Sequence, residues 1–68
     1  MEIRVQFGNR LTKLRKERKM TQDKLAELSE LTRVYISGIE QGKRNVSLEV
    51  IAQLAKALDI KISKFFEE

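Results

Sequence analysis

The chain has 68 residues, a formal charge of +4 and neither Cys nor His. That excludes disulfides, thiolate metal sites and any imidazole base or ligand. A chain of this length forms one domain that buries only about 60% of its unfolded surface, and the basic excess points to a polyanionic partner.

The N-terminal run MEIRVQFGNR is too polar for a signal peptide, and no apolar run approaches the roughly 18 residues that span a bilayer. A cytoplasmic protein with no membrane partner is expected. Alternation at EIRVQ is too short for a sheet, and the remaining spacing is helical. Helix 1 is predicted over about Phe7–Arg18, with Phe7, Leu11 and Leu14 on one stripe and Ile3 and Val5 packed beneath it. Residues 10–19 hold six Lys or Arg against one Glu.

One start signal then recurs three times. An apolar residue precedes a Thr or Ser, and a second apolar residue follows the first at a distance of five: Met20-Thr21 with Leu25, Leu31-Thr32 with Ile36, Val46-Ser47 with Ile51. This is a hydroxyl N-cap with a hydrophobic staple across it. It predicts helices over about Gln22–Ser29, Arg33–Gln41 and Leu48–Leu58. Gly42 suits the left-handed residue that ends a helix, and Gly42–Asn45 is a polar loop. A fifth helix, about Ile62–Phe66, has Lys61 at its cap position, which cannot cap.

The chain is organised around residues 21–41, TQDKLAELSELTRVYISGIEQ. Ala26, Leu31, Ile36 and Ile39 close a small apolar wedge between two short helices, a helix-turn-helix arrangement. A rod held that way can enter the major groove of DNA. On a helical wheel, Arg33, Val34, Ser37, Gly38 and Gln41 face outward and Tyr35 lies on the flank. Arg33 can fork onto a guanine edge and Val34 can meet a thymine methyl. Ser37 and Gly38 are small enough for close approach by DNA or a neighbouring helix. Gln22, at the start of the first motif helix, and Lys43, Arg44 and Asn45, after the second, are expected at phosphates, with Arg44 also within reach of a base edge. Arg10 and Lys13 are further phosphate candidates. Glu27, Glu30 and Glu40 are read as solvent-facing or as partners within their helices, and Asp23 as favouring the helix dipole. The apolar arc of helix 4 covers roughly 220°, more than one core-facing stripe needs. Val50, Leu54, Ile62, Phe65 and Phe66 are therefore expected at a homodimer interface, within a dimerisation region of about residues 50–66.

The run FGNRLTKLRKERKMTQDKLAELSELTRVYISGIEQGKRNVSLEVIAQLAKALDI followed by KISKFF resembles the lambda-repressor/Cro-type helix-turn-helix family, also called the Xre family. The segment VYISGIEQGKRNVSL most resembles the controller proteins of restriction-modification systems. The resemblance implies an all-α, compact five-helix bundle spanning the whole chain as a single domain. It implies dimers on palindromic operator DNA, transcriptional regulation without a cofactor, and RNA polymerase as a partner of an activator; the lack of His, Cys, a glycine-rich phosphate loop and a clustered carboxylate pair argues against an enzyme. By motif match it places Arg33, Tyr35, Ser37, Arg44 and Asn45 at DNA-facing positions and Gln22 at a phosphate. Departures are Glu30 and Asp59, where the family often has Gly, Val46 in place of Pro, and Val34 where controllers often carry a polar residue. A phage-type repressor and an antitoxin-like protein-interaction module are the alternatives.

Overall fold

The computed structural model describes residues 2–67. Four α-helices follow one another: α1 (Ile3–Glu17), α2 (Gln22–Ser29), α3 (Arg33–Glu40) and α4 (Leu48–Leu58). The expected fifth helix is not α-helical. Ile62–Phe66 forms a short 3-10 helix with no side-chain cap at Lys61. Five residues without a cap do not repay the cost of nucleating an α-helix, and the tighter i→i+3 turn is the usual outcome. The five-helix bundle is thus corrected to four α-helices closed by a 3-10 turn.

The three caps form as the hydroxyl pattern dictates. Thr21 accepts from the Lys24 amide at 3.0 Å, Thr32 from Tyr35 at 3.0 Å and Ser47 from Val50 at 3.1 Å. The staple residues Met20, Leu31 and Val46 lie half-buried against the core. Helix 1 starts earlier than predicted because the Glu2 carboxylate accepts from the Arg4 amide at 3.1 Å and supplies a cap. That extension lifts Ile3 into solvent instead of beneath the helix.

The core is Phe7, Leu11 and Leu14 of α1, Leu25 and Ala26 of α2, Ile36 and Ile39 of α3, and Ile51, Leu54, Ala55 and Leu58 of α4, closed by Phe65. α1 packs on α3, α2 on both α3 and α4, and the 3-10 turn on α1 and α4. The Phe7 and Phe65 rings meet at 5.0 Å between centroids. Gly8 lets α1 reach the end of α3: a Cβ there would collide with the carbonyl oxygen of Ile39 and stand 2.8 Å from that of Glu40.

Three helices end on left-handed residues that are not glycine: Lys19 (φ 57°), Glu30 (φ 62°) and Asp59 (φ 56°). An L side chain in that conformation costs roughly 1 kcal/mol. Glu30→Gly should therefore stabilise the domain by about 0.5–1 kcal/mol, after allowance for the looser unfolded chain. A thermal melt showing the rise for Glu30→Gly but not for Glu30→Ala separates backbone strain from loss of the charge.

Candidate nucleic-acid interface

The second helix of the motif stands proud of the domain because only one side of it is buried. Ile36 and Ile39 are 0% and 1% exposed and anchor it, while Val34 on the opposite side is 71% exposed. The wedge expected from spacing is present, with Ala26 buried and Leu31 half-buried beside them. Arg33, Val34, Ser37, Gly38, Gln41, Lys43 and Arg44 line one shallow concavity on the outer surface. Seven residues from α3 and the following loop thus share one face, with two arginines and a lysine in it. Gln41 donates to the Ser37 hydroxyl at 2.9 Å, pairing the two small polar side chains of that face.

Arg33 is not free in this conformation. Its Nε lies 3.3 Å from the Asp23 carboxylate at the start of α2, both side chains being well exposed. Exposed pairs of this kind contribute little to stability, so the guanidinium can be released to another acceptor. Asp23 therefore does more than favour the helix dipole. Tyr35 is half-buried, and its hydroxyl donates to the Asn45 carbonyl at 3.2 Å, tying the loop to α3. Arg44 has its guanidinium carbon 5.9 Å from the centre of the Tyr35 ring. Gly42 adopts φ 76° as expected, and the loop returns through Lys43, whose amide donates to the Gly38 carbonyl at 2.9 Å. Arg10 and Lys13 lie together on α1, in a separate shallow concavity with Gln6 and Asn9.

Gln22 is placed differently from a purely phosphate-directed residue. Its side-chain amide donates to Glu40 Oε1 at 3.0 Å. Glu40 belongs to a feature that residue spacing did not reveal. Arg15 Nε donates to Glu40 Oε2 at 2.7 Å, Arg15 Nη2 to Oε1 at 3.0 Å, and Arg15 Nη1 to the Met20 carbonyl at 2.8 Å. The two side chains are only 11% and 7% exposed. Glu40 is therefore neither solvent-facing nor paired within its own helix. Burial alone would raise its pKa. The Arg15 and Gln22 hydrogen bonds and the Arg15 charge outweigh that and hold the carboxyl below its ordinary value. The forked pair joins α1 to the far end of α3, and Gln22 adds the start of α2. One member of the basic run is thus internal structure and does not reach toward a partner.

The expected dimer surface divides in two. Leu54 and Phe65 are 0% and 3% exposed within the single chain, so neither can meet a partner: Leu54 lies at the centre of the core, and Phe65 packs on Phe7. Val50 is half-buried against the core. Ile62 and Phe66 are exposed, and so are Leu48 and Ile3, which were not among the expected interface residues. Leu48 opens α4 and Ile3 opens α1, where few neighbours reach them.

Two short helices, an apolar wedge and an outward polar rod define a helix-turn-helix protein. A family model described as helix-turn-helix matches residues 11–65, and the chain belongs to that family. It is 43% identical to the control protein C.MunI of Mycoplasma sp over 68 residues, covering 98% of this chain and 92% of that one. It is 45% identical to the control protein C.BamHI of Bacillus amyloliquefaciens over 60 residues, 87% of this chain and 74% of that one. The crystal structure of the restriction-modification controller protein C.AhdI from Aeromonas hydrophila matches with a TM-score of 0.91 at 49% identity, covering 93% of this chain and 96% of that one.

Proposed function

We propose that this protein is a sequence-specific, dimeric DNA-binding transcriptional regulator that controls a restriction-modification operon by binding a palindromic operator. The observation that carries this reading is the outer face of α3, where Arg33, Val34, Ser37 and Arg44 share one solvent-facing concavity beside a buried anchor. Near-full-length similarity to control proteins supports the operon assignment. Arg33 reads a base edge, while Lys43, Asn45 and the start of α2 with Gln22 carry the phosphate contacts that set register. The exposed apolar residues Ile62, Phe66 and Leu48 meet their counterparts in a second copy, with Val50 at the margin. Two such rods would enter successive major grooves about 34 Å apart. Residues 1–68 act as one DNA-binding domain in the cytoplasm, and as an activator the regulator would engage RNA polymerase.

Selection of bound sequences from random duplexes should return a palindrome with fixed half-site spacing. Arg33→Ala should then lower affinity for the selected duplex by about 1–3 kcal/mol while leaving binding to an unrelated duplex little changed. A titration at one salt concentration measures both. Equal losses on the two duplexes would show that Arg33 holds phosphate and does not read a base.

A further inference from the structure

Gly38 stands inside α3, on the side turned away from the core, where alanine would be the more favourable helix former. Its neighbour explains the choice. A Cβ built on Gly38 would stand 2.9 Å from Arg44 Cγ, 3.3 Å from Nε and 3.6 Å from Cδ. The stem of Arg44 therefore runs lengthwise across the bare glycine. At its far end the guanidinium meets the Tyr35 ring at 5.9 Å, within cation–π range. The Tyr35 hydroxyl in turn holds the carbonyl of Asn45, the residue after Arg44, at 3.2 Å. The stem and head group of Arg44 and the carbonyl of the residue after it each lie against α3.

We infer that Gly38 and Tyr35 are positioning residues that form a seat for Arg44, so that this arginine reads a base edge beside Arg33 as a second, pre-ordered specificity element. The inference rests on the DNA-binding reading above and says which residues shape its discrimination. A free arginine on a loop loses much rotamer freedom when it is fixed on a base. An arginine already laid along the recognition helix has lost that freedom on folding, and its guanidinium reaches the duplex in one orientation. A methyl group at position 38 evicts the stem. The gap to Cγ is too short for ordinary contact, and Cγ is near the root of the side chain, where little flexibility is available.

The seat gives Gly38→Ala two opposed effects. The folded domain gains helix propensity but gives up the packing of Arg44 on α3, so the melting temperature should shift by only a few degrees and the variant should stay folded. Discrimination between the duplex selected by the unmodified chain and a scrambled duplex, at equal salt, should fall roughly 3–10-fold. Arg44→Ala should lower it by roughly 10-fold or more. In the Arg44→Ala background, adding Gly38→Ala should change discrimination no further, because the seat then has no occupant. Tyr35→Leu, measured in the same two backgrounds, tests the seat from its other side and serves if Gly38→Ala does not fold. Full retention of discrimination in Gly38→Ala overturns the seat. So does an equal loss with and without Arg44, which would mean that the methyl group meets DNA directly. Should the unmodified chain select no sequence at all, the DNA-binding reading fails first and takes the seat with it.

Discussion

Arg15→Ala should destabilise the domain by about 3–5 kcal/mol, because it strands the buried carboxylate of Glu40 without its charged partner. A 68-residue domain has roughly 3–10 kcal/mol of stability in total, so the loss is a large fraction of it. The ion pair need not be strongly stabilising for this to hold. Desolvating both groups offsets most of their attraction, and the penalty comes from leaving one of them alone. Arg15→Leu combined with Glu40→Leu should accordingly recover much of what either single change removes. Denaturant titration of the three variants measures the contrast. A double variant no more stable than the singles would overturn this account of the pair.

The same carboxylate sets an acid limit. The folded-state pKa of Glu40 lies below its ordinary value of 4.5. Its contribution is therefore complete above that value and is lost as the pH falls through the lower, folded value. Stability of the unmodified chain should decline with acid below about pH 4.5, and Glu40→Gln should show a shallower decline over that range.

Leu54→Ala is expected to cost about 2–5 kcal/mol, the range for emptying a fully buried leucine site. Leu54 has no exposed surface, so the loss belongs to the fold of one chain and should not alter how strongly folded copies associate. Phe66→Ser is the counterpart. Phe66 is 57% exposed and touches the core through Phe7 at 6.2 Å between ring centroids, so its removal should cost the single chain far less than Leu54→Ala while weakening self-association. Sedimentation at several concentrations, combined with unfolding curves, separates the two behaviours. An association defect in Leu54→Ala without a stability defect would place that residue at the interface after all.

What could be read from residues alone follows the range of the interaction. The caps at Thr21, Thr32 and Ser47 and their staples are written within five positions of one another, so α2, α3 and α4 were placed to within a residue. The outward rank of α3 was legible for a similar reason: with Ile36 and Ile39 inward, Arg33, Val34 and Ser37 have nowhere else to point. The Arg15–Glu40 pair was hidden because its members are 25 positions apart and each looks like an ordinary charge on a solvated helix. Gly8 was equally silent, since its reason is a backbone contributed by another helix. Leu54 and Phe65 were misplaced because a helical wheel measures how wide an apolar arc is without saying which half of it neighbours will cover. Here α2 packs on α4, whose buried half carries Leu54, and Phe7 covers Phe65. The last helix fell short of α form where its cap was missing, at Lys61, the position at which the pattern had already weakened.

The contact permitted by Gly8 reaches past stability. With the backbone of α1 lying against the last carbonyls of α3, and Glu40 bolted to Arg15 alongside, the reading helix cannot roll or tilt independently of the body that carries it. In the dimer proposed above, the separation of two such helices is then fixed by the joint between subunits. Any mismatch with the pitch of an operator must be absorbed by bending or twisting the duplex, whose compliance depends on its own sequence. Base pairs between the half-sites, touched by no side chain, would thereby influence which operator is chosen.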